Sequence, residues 1–181
     1  MKSPTEKRKA SGIVDYVALA LTTFGVGYIP GAPGTYGSAA AVAIYLGIGM
    51  FETHAAKHAD NAAFATAFHH AVNAILLTAF CLAGIWASNR TEPIFGNGDP
   101  SQAVVDEVMG QLITFAFIPF GLGWPFILAG FLLFRLFDII KPYPCNTLQD
   151  IPGGLGICAD DIVAGVYAGI CLAAGYAVTL M

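Results

Sequence analysis

Residues 103–120 read Ala103-Val104-Val105-Asp106-Glu107-Val108-Met109-Gly110-Gln111-Leu112-Ile113-Thr114-Phe115-Ala116-Phe117-Ile118-Pro119-Phe120, a nearly apolar run interrupted by two adjacent acids. The run shows no period-two alternation, and backbone groups in lipid must be satisfied inside a helix or a closed barrel, so it reads as a helix. Further apolar stretches at Ile13–Ile29, Tyr36–Phe51, Ala67–Ala87, Trp124–Ile140 and Ile162–Met181 are near the short end of membrane-spanning length. The predicted architecture is all-α: a polytopic membrane helical bundle of about six helices, some short or re-entrant. One domain covers residues 13–181 behind a basic tail, residues 1–12.

Composition supports lipid as the solvent. The chain is 56% apolar and 11% charged, with a mean hydropathy of +0.68, too little charge to cover a water-facing surface. The net charge of −4 and the lack of a basic stripe with interleaved aromatics exclude nucleic acid as a partner. Cys81, Cys145, Cys158 and Cys171 show no C-x-x-C spacing and read as reduced filler. Lys2, Lys7, Arg8 and Lys9 precede an apolar run as in a signal peptide, but the Gly- and Pro-rich stretch that follows argues for a retained cytoplasmic tail. His54, His58, His69 and His70 fall in or near a polar connection without acids around it and read as surface rather than as metal ligands.

Four constellations carry possible chemistry. In Pro30-Gly31-Ala32-Pro33-Gly34-Thr35-Tyr36-Gly37-Ser38, glycines free backbone N–H groups and Thr35 and Ser38 offer hydroxyls as a helix begins, which suits phosphate oxygens or a plain N-cap. Asp99-Pro100-Ser101-Gln102 reads as an N-cap with a capping box, which puts Asp106 and Glu107 about two turns inside a helix. Paired carboxylates in apolar surroundings are expensive, so they point to function. Gly110, one turn on, lets another helix or a head group come close. In Phe134-Arg135-Leu136-Phe137-Asp138-Ile139-Ile140-Lys141-Pro142-Tyr143-Pro144, helical rotation sets Asp138 between Arg135 and Lys141 just before the prolines end the helix; phosphate binding and a structural ion pair both fit. In Gly153-Gly154-Leu155-Gly156-Ile157-Cys158-Ala159-Asp160-Asp161 a glycine loop precedes two acids at a helix start, where one reads as a cap and the pair as an oxygen-rich pocket for a hard cation such as Mg²⁺.

Counting crossings puts all four constellations on one membrane face and Lys57 on the other. The positive-inside rule holds the tail in the cytoplasm, so a cytoplasmic site requires Ile13–Ile29, with its Asp15, to lie in the interface or re-enter. Intramembrane acids and broken Gly/Pro segments also mark ion pathways, which makes a membrane transporter the rival reading. Other phosphatase chemistries fail on the sequence: no Cys is followed by Arg six residues later, no D-x-D occurs, and the histidines lie outside the acidic segments.

Pro33-Gly34-Thr35 with Gly37-Ser38, Asp106-Glu107 with Gly110, Arg135 through Pro144, and Gly153 through Gly165 occur here in an order that resembles the phosphatidylglycerophosphatase A family, from about Phe24 to the end of the chain. The resemblance implies Mg²⁺-dependent hydrolysis of phosphatidylglycerophosphate to phosphatidylglycerol and phosphate in a bacterial inner membrane, with the site expected on the cytoplasmic face. Mapped onto this chain, the metal set is Asp106, Glu107, Asp138, Asp160 and Asp161, with Thr35, Ser38, Arg135 and Lys141 on the phosphate. The catalytic group is Asp106, Glu107, Asp138, Arg135 and Lys141.

Overall fold

The computed structural model describes residues 7–57, 61–96 and 100–181. Its elements are helices, α1 (Ile13–Thr23), α2 (Pro33–Lys57), α3 (Ala62–Phe95), α4 (Val105–Phe115), α5 (Trp124–Ile140), α6 (Cys145–Leu148) and α7 (Gly154–Val178), with a 3-10 turn at Val26–Tyr28. The fold class expected from the sequence is therefore the one observed.

Among the described residues, three segments are long and apolar enough to cross a membrane: Pro33–Ala55, Ala63–Phe95 and Gly154–Val178. They lie in α2, α3 and α7. α3 runs past the apolar stretch that announced it, through Pro93 to a left-handed Gly96, because its polar last turns are engaged by the bundle. Arg90 pairs with Asp15, Thr91 Oγ1 lies 3.1 Å from Thr22 Oγ1, and Ser88 Oγ lies 3.6 Å from Cys158 Sγ.

The remaining apolar stretches do something else. α4 has 11 residues, about 16 Å of helix. The chain turns back through residues 116–123, and α5, with 17 residues, returns to the starting end. A Cβ on Gly49 would lie 3.0 Å from Phe120, so this turn sits deep along α2, which continues to Lys57. Tyr45 stacks on Phe115 and Phe120, at 4.4 and 4.9 Å between ring centroids, and packs the turn against α2. α4 and α5 form a hairpin that leaves from and returns to the same end of the bundle.

α1 also has 11 residues, too short for about 30 Å of hydrocarbon. Asp15 and Thr22 are seven residues apart on α1, yet they meet the adjacent residues Arg90 and Thr91 of α3. α1 therefore crosses α3 steeply, with Ile13, Tyr16 and Val17 exposed on its outer side. Buried Asp15 pins it: Arg90 Nε bonds Oδ1 at 2.7 Å, Ser11 N bonds Oδ2 at 2.8 Å, and the Arg8 guanidinium bonds both oxygens. The Arg8 guanidinium, followed by the Ser11 N–H, holds the Asp15 carboxyl well below the usual carboxylate range against the opposing effect of burial. Arg8 N also donates to the Pro93 carbonyl at 2.9 Å, so residues 7–9 lie at the C-terminal end of α3.

Candidate active site

One end of the bundle collects the N-termini of α2, α4 and α7 and the C-termini of α3 and α5. Asp106 and Glu107 stand in the first turn of α4, behind Val104, whose backbone N–H donates to the Thr22 carbonyl at 2.9 Å. The sequence predicts this pair about two turns inside a helix. Pro100–Ala103 instead forms a turn, closed by Ala103 N on Pro100 O at 2.8 Å, because the end of α1 pulls Val104 out of the helical ladder. The Asp99 cap lies outside the described residues, as does His58.

The opposite correction applies to Asp160 and Asp161. α7 begins at Gly154, so both acids sit well inside it rather than at its cap. The glycines explain this start. Gly153 has φ 77, a Cβ on Gly154 would lie 2.1 Å from the Ile85 carbonyl oxygen of α3, and one on Gly156 would lie 1.7 Å from that of Ile151. The glycine segment packs helix against helix at the site's floor, and Asn89 Oδ1 receives the Gly154 N–H at 3.2 Å.

α4 and α7 bring the two acid pairs together. Carboxylate oxygens of Asp106, Glu107 and Asp161 all lie within 4.8 Å of one another. At that spacing each pair of full charges repels by about 3 kcal/mol for an effective dielectric constant near 20, so the cluster demands shared protons or a cation. Among the described residues, Glu107 Oε2 and Asp160 Oδ1 are buried without a hydrogen-bond partner. A cavity of about 370 Å³ opens over these groups, lined by Asp106, Glu107, Asp138, Lys141, Asp160 and Asp161 together with Gln149, Asp150, Gly156 and Ile157.

The cations are tethered to acids. Arg135 pairs with Asp138 at 2.7 Å, one turn along α5, as the spacing predicts. Lys141, left-handed at the α5 C-cap, pairs with Asp160 of α7 instead of Asp138. Burial works against its ammonium, but the Asp160 carboxylate more than offsets this and raises the Lys141 pKa. Among the described acids only Glu52, bonded by the Asn73 amide, lies toward the other end of the bundle. That distribution suits a surface site and not a conduction path.

The Pro30–Ser38 segment reaches the site through its backbone. A Cβ on Gly34 would lie 2.3 Å from Glu107 Oε1 and 3.1 Å from Arg135 Nη1, so the first turn of α2 touches both. Thr35 stands in that turn, half-buried. Ser38 is fully buried and its Oγ donates to the Gly34 carbonyl at 3.0 Å. Neither hydroxyl residue caps α2, which begins at Pro33, and neither lines the cavity; Arg135 adjoins it through Asp138. Gln149 and Asp150 are the cavity residues that sequence reasoning missed. Their one signal is that Asn146, Thr147, Gln149 and Asp150 make a mostly polar stretch just before the glycine segment.

The model of the family described as phosphatidylglycerophosphatase A matches residues 19–176. A Bacteroides thetaiotaomicron protein named "Putative phosphatidylinositol-3-phosphatase" is 37% identical over 153 residues, 84% of this chain and 88% of that one. Phosphatidylglycerophosphatase A of Haemophilus influenzae is 34% identical over 168 residues, 88% of each chain. Phosphatidylglycerophosphatase A of Escherichia coli is 31% identical over 144 residues, 79% of this chain and 73% of that one. No solved structure matches the chain.

Proposed function

The chain belongs to the phosphatidylglycerophosphatase A family and is a lipid phosphatase, and on that premise we propose that it hydrolyses phosphatidylglycerophosphate to phosphatidylglycerol and phosphate with Mg²⁺ as cofactor. The observation that carries the reading is the meeting of Asp106, Glu107 and Asp161 beneath a cavity walled by Lys141. Two names among the relatives carry different head groups, glycerol and inositol. Both are polyols bearing a phosphomonoester, and the glycerol compound is the one carried over here.

The donor set is all oxygen and crowded with negative charge, the chemistry that a hard divalent cation satisfies. Asp106, Glu107 and Asp161 would hold the ion, with Asp138 and Asp160 beside them. Bound Mg²⁺ supplies charge neutralisation at the phosphoryl oxygens and acidifies a water. The chain's own groups do the rest. Asp138 and Asp160 hold Arg135 and Lys141 at fixed positions, ready to take phosphate oxygens as a planar fork and as a point charge. The net hydrolysis would form a bond from a water oxygen to phosphorus and break the ester bond to the glycerol oxygen, with a water proton ending on the departing alcohol. The Gly34 turn and buried Ser38 close the α2 side of Glu107 against bulk water.

Purified protein is expected to release phosphate from phosphatidylglycerophosphate with added Mg²⁺ and to stop when the metal is chelated. Equal rates in both conditions would remove the metal from the reading, and no release in either would remove the substrate.

Placement in the bacterial inner membrane with the site facing the cytoplasm belongs to the same proposal. Lys7, Arg8, Lys9 and Arg90 lie at the site end, whereas Lys57 ends α2 at the other. With α1 lying across α3, residues 7–9 stand at the same end of the bundle as the acids, so the positive-inside rule, which holds the basic tail in the cytoplasm, supports a cytoplasmic site. A Cys introduced at exposed Asn146 is expected to resist a membrane-impermeant maleimide in intact cells and one at Lys57 to react; the reverse pattern turns the topology over.

A further inference from the structure

The cavity over the acids has a rim that the reaction described above leaves unused. Gln149 and Asp150, in the segment between α6 and α7, line it, and both are exposed. Neither belongs to the three-carboxylate cluster or to the ion pairs that hold Arg135 and Lys141. Gln149 Nε2 donates to the Asn146 carbonyl at 3.1 Å, which ties one N–H of its amide to the protein and leaves a second N–H and Oε1 for a ligand.

The backbone beneath them is fixed. Asp150 N donates to Thr147 O at 3.3 Å and Ile151 N to Leu148 O at 3.1 Å. Gly156 approaches so closely that a Cβ there would meet the Ile151 carbonyl oxygen at 1.7 Å, so this segment is pressed onto the first turn of α7. A carboxylate and an amide therefore stand at the mouth of a site that must admit an anion. A carboxylate there repels phosphate oxygens and offers them no donor; its complement is an O–H group.

The substrate proposed above carries such a group: the glycerol of its head group has a free hydroxyl between the phosphodiester and the phosphate that leaves. We propose that Asp150 accepts the proton of this hydroxyl while the second Gln149 N–H donates to its oxygen, and that the pair thereby selects a polyol phosphate over a phosphomonoester lipid of the same charge that lacks it. The inference rests on the lipid-phosphatase reading of the site.

The test compares dioctanoyl phosphatidylglycerophosphate with its analogue in which 1,3-propanediol replaces the glycerol, using the purified full chain with Mg²⁺. A hydrogen bond from a hydroxyl to a charged acceptor corresponds to a preference of about tenfold or more, so wild type is expected to favour the hydroxylated lipid by that ratio of kcat/KM. In Gln149→Ala/Asp150→Ala the ratio is expected to fall close to one, mainly through KM. Asp150→Asn, which keeps size and changes one acceptor to a donor, is expected to lower the ratio too and decides the matter if the double variant misfolds. No preference in wild type, or an undiminished ratio in the variants, overturns the proposal while leaving the phosphatase reading intact. Failure of wild type to hydrolyse either compound overturns both.

Discussion

Replacing Asp106 by Asn is expected to cut phosphate release by on the order of a hundredfold or more while leaving the protein folded. Asn keeps the shape of the side chain and removes one negative charge from a cluster of three carboxylates within 4.8 Å. The loss falls first on cation binding, so the Mg²⁺ concentration for half-maximal rate should rise and saturating metal should recover only part of the rate. The stability effect should have the opposite sign. In chelator the wild-type cluster must either share protons or bear the repulsion, and removing one acid relieves that cost, so Asp106→Asn should melt at or above the wild-type temperature without metal. With Mg²⁺ the order should reverse, because wild type gains more from the bound ion. A purely structural role for Asp106 predicts a lower melting temperature in both conditions, and retained activity would discard the metal assignment.

The convergence of the acids was legible from the sequence because it depends only on counting returns of the chain. α2 with α3 makes one excursion and α4 with α5 another, and each brings the next motif back to the starting end. Helix starts were less legible. Asp106 and Glu107 looked interior and stand in a first turn, while Asp160 and Asp161 looked like caps and are interior. Both errors have one cause: a start is set by tertiary partners that local propensity does not contain. Val104 is held by the Thr22 carbonyl, and the first turn of α7 fits only because Gly154 presses on Ile85 of α3. Length was the other blind spot. Apolar composition does not distinguish a crossing helix from α1, which lies across α3, or from α4, which turns back beside Gly49. Asp15 was the clue for α1, but its partners Arg8 and Arg90 are seven and 75 residues away. Gln149 and Asp150 carried no motif, because exposed polar residues between two prolines look like any other loop.

The second large effect comes from a residue with no functional group. Gly165→Ala is expected to reduce activity about a hundredfold and to destabilise the bundle by about 1–3 kcal/mol. In lipid, helices associate through close packing instead of expulsion of water, so small residues at a crossing carry the contact. A Cβ on Gly165 would lie 2.3 Å from the Gly110 carbonyl oxygen and 2.9 Å from its Cα. These are backbone atoms, so the helices themselves must part. Gly110 has no room to yield, since its own Cβ position is 2.3 Å from Phe134 and 2.5 Å from the Asp161 carbonyl oxygen. Thr114 Oγ1, which donates to the Gly110 and Gly165 carbonyls at 3.0 and 3.3 Å, ties the same crossing together. The crossing lies one turn below the acids, with Asp106 on the same helix as Gly110 and Asp161 on the same helix as Gly165. Parting α4 from α7 therefore opens the carboxylate cluster directly, and Mg²⁺ affinity should fall along with stability. Gly47→Ala and Gly175→Ala are the controls, because a Cβ at either meets nothing within 4 Å and alanine favours the helix. A Gly165→Ala protein with wild-type Mg²⁺ affinity and melting temperature would show that the distance between α4 and α7 does not set the geometry of the site.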